Sequence, residues 1–263
     1  MAVSMALFVV ASAVTVPVAS AVDAEAQPTI LITGTNRGIG YAFAEYYAKE
    51  GWKVLATARR PEKADALQAL AAKHSNLLIE RLDVTDHPAI DALAEKYRDM
   101  PIDVLINNAA MLGDPGQQSF GDLNNELFEQ VMAVNVYGPL YVVEAFAGHV
   151  ESSDQKKIVT LTSAMGSLSL TGENFGKFYF YRISKAGVNM AMRTLRADLK
   201  PRGVVVALLS PGMVGTDMLE KSGYRGPSLT PTESVAGMVA IIAELTIEDP
   251  GTVTSHDRGS LPW

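Results

Sequence analysis

Tyr181 and Lys185 stand four residues apart in "YRISK", a spacing that stacks two side chains on one face of a helix. A tyrosine hydroxyl titrates near pH ~10, so an unaided phenol keeps its proton at neutral pH. A lysine ammonium one turn away would favour the phenolate and let the hydroxyl exchange a proton with a substrate oxygen. The spacing alone serves a helix surface pair equally well. What decides between the two is the rest of the chain. Tyr179 makes no such pair, because Ile183 stands four residues beyond it.

The elements that would have to position this pair alternate in type. Short apolar, β-branched runs at 29–33, 52–58, 76–84, 102–110, 156–167 and 203–212 read as strands, and a further short strand is expected near 251–254. Between them, 38–51, 61–74, 87–100, 123–148, 180–200 and 231–245 read as helices. Alternating strands and helices predict right-handed βαβ crossovers and a parallel sheet covered on both faces. The strands are nearly continuous apolar runs, as burial on both sides requires. The expectation is a single α/β domain over residues 29–263, a doubly wound Rossmann fold of about seven strands.

In open α/β sheets, ligands sit beyond the carboxyl ends of the strands. The first strand ends in "TGTNRGIG", with Gly34, Gly38 and Gly40. Such a turn lets the backbone approach a ligand, and the following helix presents its N-terminus to a pyrophosphate. The second ends in Arg59 and Arg60, where an NAD binder often carries a carboxylate for the ribose hydroxyl. With Arg37 inside the glycine turn, these guanidiniums suit a 2′-phosphate and predict NADP(H) in preference to NAD(H). After the third strand, Asp83 could accept from an adenine amino group and Val84 could touch its ring. "NNAA" at 107–110, Ser163, and the turn holding Thr216 and Asp217 end the next three.

Composition narrows the field. The chain has 263 residues, 48% of them apolar and 19% charged, ample for one large core. Its net charge of -7 and lack of a basic stripe argue against nucleic acid as a partner. It has no cysteine, so neither disulfides nor thiolate chemistry are available. The four histidines are scattered without metal-ligand spacing, and no metal site is expected.

Residues 1–22 carry no charged side chain, and an apolar stretch from Ala6 ends in Ala19-Ser20-Ala21. That is the form of an export signal over 1–21 with a short linker at 22–28, although no Lys or Arg precedes the apolar run. Pro17 interrupts the run, which is short for a spanning helix. Export to the periplasm or medium is the expectation, with no stable membrane span once the leader is removed. A membrane anchor or a cytoplasmic protein with a misassigned start are the alternatives.

Taken together and in order, "TGTNRGIG", "NNAA", "NVYG", the "TS" before a long loop, "YRISK" and "PGMVGTDM" resemble the single-domain short-chain dehydrogenases/reductases. "TSAMGSLS", the arginine in "YRISKAGVNM", "TPTESVAGM" and the terminal "GSLPW" are similar to the C-factor-like, or sniffer-like, carbonyl reductases. The resemblance implies a catalytic set of Asn135, Ser163, Tyr181 and Lys185. Tyr181 would be the acid or base, Ser163 would orient the substrate oxygen, and Lys185 would hold the nicotinamide ribose. Asn135, inside a long helix, would support a proton-passing water. It also implies cofactor contacts at Gly34, Asn36, Arg37, Gly38, Ile39, Gly40, Arg59, Asp83, Val84, Asn108, Tyr181, Lys185, Val214 and Thr216. The implied reaction moves hydride between the cofactor and a carbonyl or secondary alcohol. Met111, Met165, Phe175, Phe178, Met213, Met218 and Tyr224 would favour an apolar substrate, or else serve core or subunit packing. A homodimer or homotetramer is implied, with helices 123–148 and 180–200 at the interface. The C-factor likeness also implies a rival reading, a nucleotide-binding signalling protein with little turnover. The chain departs from the family pattern at Ala110, usually glycine, and in the long interval from Ser163 to Tyr181. The extra "SLTGENFGKF" there is expected to form a lip over the substrate pocket.

Overall fold

In a computed structural model of the chain, the described residues are 1–3, 27–172 and 177–263. Nearly all of the expected leader, and Phe175 in the inserted loop, lie outside them. The chain runs β1 (Thr29–Ile32), α1 (Gly38–Lys49), β2 (Lys53–Ala58), α2 (Asp65–Ala71), β3 (Leu77–Arg81), α3 (His87–Lys96) and β4 (Val104–Asn107). A small hairpin follows, β5 (Gln118–Ser119) and β6 (Asp122–Leu123), and then α4 (Asn125–Met132) and α5 (Gly138–Glu151). The second half contains β7 (Lys157–Leu161), α6 (Tyr179–Leu199), β8 (Val205–Ser210), α7 (Asp217–Lys221), α8 (Pro231–Glu244), β9 (Val253–Ser255) and β10 (Ser260–Leu261).

Side chains alternate across a strand, and that sorts the core into two layers. Ile30, Ile32, Val54, Ala56, Val104 and Ile106 pack with Phe43 and Tyr47 of α1 and Met238 and Ile242 of α8. Leu31, Leu55, Leu105 and Ile158 face the other way, onto Ile90 of α3, Phe146 of α5 and Met192 of α6. Each fully buried Val, Leu, Ile, Phe or Met side chain among these contributes about 1.5–3 kcal/mol. The eight-stranded sheet has the order β10-β9-β8-β7-β4-β1-β2-β3. Every pairing is parallel except β9 with β10, which is antiparallel. The strand order reverses between β1 and β4, and there the carboxyl ends open a crevice.

Three expectations need correction. The helix over 61–74 starts with a 3-10 turn at Pro61–Lys63, and α2 begins only after Ala64, which is buried and non-helical (φ -106°, ψ 58°). The single helix over 123–148 is interrupted by a π-helical turn, Ala133–Tyr137. Pro139 has no N–H to return to Asn135, so a regular α turn cannot close there. Gly138 then lies against Val84, where an added Cβ would stand 2.9 Å from the Val84 carbonyl. The sheet also has an eighth strand, β10, which the sequence pattern did not disclose. The whole run Asn125–Glu151 is long and apolar enough to cross a membrane. In this fold Val142, Val143, Phe146 and Val150 of that run are buried in the core beneath the sheet.

Candidate active site

The glycine turn is fastened to the ends of three strands. Thr33 Oγ1 accepts from the N–H groups of Asn108 and Ala109, both at 3.0 Å, and joins the end of β1 to that of β4. Thr35 donates its N–H to the Thr57 carbonyl at 2.8 Å, joining β2. The Asn108 side chain donates to the Thr33 and Gly34 carbonyls at 2.8 and 2.9 Å, so its amide holds the turn in place. Gly34 sits at φ +74°, and a Cβ on Gly40 would stand 2.3 Å from the Gly34 carbonyl oxygen. Arg37 begins α1 without a side-chain cap, so the first N–H groups of the helix face the crevice. A cradle of this kind fits a dinucleotide pyrophosphate.

The other expected cofactor residues surround this turn. Asn36 and Arg37 are exposed, and Ile39 packs partly against the core. Arg37 pairs with Asp217 at 2.9 Å, and both side chains are largely open to solvent. Arg59 and Arg60 are exposed at the end of β2. Asp83 accepts from Thr85 N–H and Oγ1 at 3.0 and 2.8 Å, while Val84 is buried. Thr216 caps α7 by accepting the Leu219 N–H at 3.4 Å. Its methyl group would stand 3.3 Å from a Cβ on Gly38, so the 214–217 loop lies directly against the glycine turn. Val214 is buried and bridges to Leu229, closing the base of the excursion that carries α7.

The expected catalytic set converges on the start of α6. Tyr181 and Lys185 are both buried, and the Lys185 ammonium lies 5.7 Å from the centre of the tyrosine ring. Lys185 Nζ donates to the Leu161 carbonyl, the last of β7, at 2.9 Å. Ser163, two residues further on, hydrogen-bonds the Tyr181 hydroxyl and also accepts the Met165 N–H at 3.1 Å. Burial pushes the Tyr181 phenol up to about 12, against the downward pull of the Ser163 hydrogen bond. Burial in turn pushes the Lys185 ammonium down to about 8. The arrangement presents a neutral hydroxyl able to donate a proton, with a second hydroxyl beside it.

Asn135 is fully buried in the π turn rather than in a regular helix. Its Oδ1 accepts the Met111 N–H at 2.8 Å, and its Nδ2 donates to the Met111 carbonyl at 2.8 Å and to Ser184 Oγ at 2.9 Å. The side chain thus clamps the segment after β4 to α6. Around the open side, Met165 and Met218 are half-buried, and Met213 and Tyr224 are exposed. The inserted loop is tied to the chain terminus at its first residue, where Ser169 N–H donates to the Trp263 carbonyl at 2.8 Å.

Three site residues escaped the sequence reading. Gly166 lets the serine loop rest on the backbone of Lys185, where a Cβ would stand 2.7 Å from the lysine carbonyl carbon. Its presence in "SAMGS" was the one available signal. Ser184, fully buried, links Asn135 to the Tyr181 carbonyl. Gln118, also fully buried, accepts the Tyr181 N–H at 3.1 Å. Nothing local in the sequence marks it.

Comparison with known proteins gives the family. The family model described as short chain dehydrogenase matches residues 28–225. The chain is 36% identical over 163 residues to the C-signal of Myxococcus xanthus, covering 62% of this chain and 93% of that protein. The NADPH-bound carbonyl reductase from chicken fatty liver superposes with a TM-score of 0.82 at 30% identity, covering 90% of this chain and 99% of that one. The carbonyl reductase Sniffer of Drosophila melanogaster gives 0.80 at 27% identity, covering 90% and 100%. The family match runs from the first strand through the glycine turn and the Tyr181–Lys185 helix to the loop beyond β8. On that extent of match the chain belongs to the short-chain dehydrogenase/reductase family and is one of its oxidoreductases.

Proposed function

We propose that the protein is an NADPH-dependent carbonyl reductase acting on an apolar aldehyde or ketone, or on the matching secondary alcohol in reverse. The observation that carries this reading is the buried, neutral Tyr181 phenol with Ser163 at its hydroxyl and Lys185 beneath its ring. Ser163 orients the carbonyl oxygen by a hydrogen bond, and Tyr181 gives that oxygen its proton. When bound, the nicotinamide supplies the hydride that reduces the carbonyl carbon. Lys185 holds the nicotinamide ribose, and Asn135 supports the route by which Tyr181 is reprotonated. The other cofactor residues divide by group. Gly34, Asn36, Gly38, Ile39 and Gly40 receive the pyrophosphate, Asp83 and Val84 the adenine, and Asn108, Val214 and Thr216 the remainder of the dinucleotide. Arg37 and Arg59 take the 2′-phosphate, consistent with the NADP-bound carbonyl reductase neighbours. Subunits pair through residues 123–148 and 180–200, where Ile183 and Met190 of α6 are exposed.

The likeness to the Myxococcus C-signal favours a second reading, a nucleotide-binding signalling protein with little turnover. One experiment separates the two. Protein lacking residues 1–21 is titrated calorimetrically with NADPH and NADH, and NADPH absorbance is then followed with a panel of aldehydes and ketones. Tight NADPH binding with turnover is the expected result. Binding without turnover across the panel gives the signalling reading the stronger position.

A further inference from the structure

α6 starts without a cap of its own. Phe178 precedes it at φ 55° with no side-chain cap, and Lys177 before that sits at φ 76°. Neither is a glycine, and left-handed conformations are costly for such residues. The first turn of a helix has N–H groups with no partner inside the helix. That of Tyr181 is met by Oε1 of Gln118, 63 residues upstream in the chain. The other end of the same amide is also committed, with Nε2 donating to the Leu112 carbonyl at 2.8 Å and the Asp114 carbonyl at 3.3 Å. Two carbonyls on one side and one N–H on the other fix which way the amide points.

These bonds belong to a closed ring. From Gln118 it passes through Leu112 to Met111, which is held at both N–H and carbonyl by Asn135. It continues from Asn135 to Ser184, and Ser184 Oγ donates to the Tyr181 carbonyl at 2.8 Å. The peptide groups of Tyr181 are therefore gripped on both sides by buried polar side chains. A buried amide is strongly unfavourable unless every partner stays in place, so the ring resists small shifts of the α6 start. Displacement of a catalytic group by ~1 Å can cost about 100-fold in rate.

We propose that Gln118 is a positioning residue for Tyr181, tying the tyrosine N–H to the Leu112 carbonyl and so fixing where the phenol hydroxyl stands. The inference rests on the reading of Tyr181 as proton donor. Gln118→Met keeps the volume but has no donor. Protonated, Gln118→Glu can accept the Tyr181 N–H and donate to the Leu112 carbonyl, whereas its ionised oxygens repel that carbonyl.

The test compares wild type, Gln118→Met, Gln118→Glu and Tyr181→Phe, with NADPH as cofactor and benzaldehyde as the carbonyl probe. Gln118→Met is expected to keep its NADPH affinity within about twofold and to lose kcat by about 10–100-fold. In the NADPH-bound state, amide exchange at Tyr181 is expected to quicken while the sheet stays protected, a result that needs no turnover. Gln118→Glu is expected to regain kcat at low pH and lose it as the carboxyl ionises. Asp114 and Tyr181, whose backbones Gln118 contacts, and Lys185 one turn further along α6 are kept in both Gln118 variants, so the new pH limb is read against Gln118→Met. Unchanged kcat and unchanged Tyr181 exchange in Gln118→Met would overturn the proposal, and so would a parallel loss of kcat and NADPH affinity. If Gln118→Met does not fold, absence of the limb in Gln118→Glu overturns it instead. An active Tyr181→Phe would bring down the mechanism and this inference together. An inactive Tyr181→Phe beside an unaffected Gln118→Met sinks the inference alone.

Discussion

Tyr181 and Lys185 are pushed in opposite directions by the same cause, burial, which favours the neutral form of each. The neutral phenol is the form that donates, so Tyr181→Phe should lower reductive turnover by about two to four orders of magnitude while NADPH still binds. Steady-state rates beside a calorimetric titration check this, and unchanged turnover would remove the assigned mechanism. Lys185 has a consequence for stability. Burial holds its ammonium down at about 8 in the folded protein, against 10.5 for an ordinary lysine. Below pH 8 both folded and unfolded chains hold the proton, and the fold bears the cost of a buried ammonium. Between the two values the unfolded chain holds a proton that the folded one has shed, so stability rises with pH there. The gain is about 3 kcal/mol. Denaturant titrations on the two sides of that window should show the rise in wild type and not in Lys185→Met. Arg59 is exposed at the end of β2, and its carrying the 2′-phosphate has its own signature. Arg59→Ala should weaken NADPH by about 10–100-fold and leave NADH nearly unchanged, since a charge-assisted hydrogen bond contributes about 1.5–3 kcal/mol. Equal loss for both cofactors would detach Arg59 from the phosphate.

Among the elements, α6 is the one on which the site depends. Gly166 allows the serine loop to lie against it, and a methyl group there would press on the Lys185 backbone. Gly166→Ala should destabilise the fold by about 1–3 kcal/mol and lower kcat as Ser163 and Lys185 move apart. Denaturation midpoints with single-turnover rates test both parts. The sequence disclosed this region unevenly, and the reason is distance along the chain. Tyr181 with Lys185, and the glycines of 34–40, are local patterns whose geometry follows from four to seven residues of chain. Most of the sheet was legible because its central strands are continuous apolar runs. Gln118 was hidden because its partners, Leu112 and Tyr181, lie in different elements and meet only in the folded protein. The π turn was hidden because apolar periodicity continues through residues 133–137. Its cause, Pro139, was visible but reads equally well as a tolerated helix proline. The β5–β6 hairpin has only two residues in each strand, too short for any alternation to show.

At the scale of the whole molecule, eight strands bring residues from 33 to 217 to one crevice, and two expectations concern what lies around it. Pairing through residues 123–148 and 180–200 predicts a dimer or tetramer by light scattering, and Ile183→Glu with Met190→Glu should yield monomers that still bind NADPH. A leader over 1–21 predicts a mature chain beginning at Val22 when the full sequence is expressed in a secreting host, which intact mass reads directly. The terminal strand β10 leads to Trp263, whose carbonyl accepts from Ser169 and whose ring lies 5.2 Å from the Arg193 guanidinium. The chain has only two tryptophans. Trp52 is packed edge-on to Tyr47 on the opposite face of the molecule's core, far in sequence from the inserted loop. Trp52→Phe would therefore leave a protein with one indole, set over Arg193 of α6 and joined through its own carbonyl to Ser169. Its emission colour and quenching by iodide would report, without any attached dye, whether the seat of the chain terminus against Ser169 and Arg193 changes as substrate arrives.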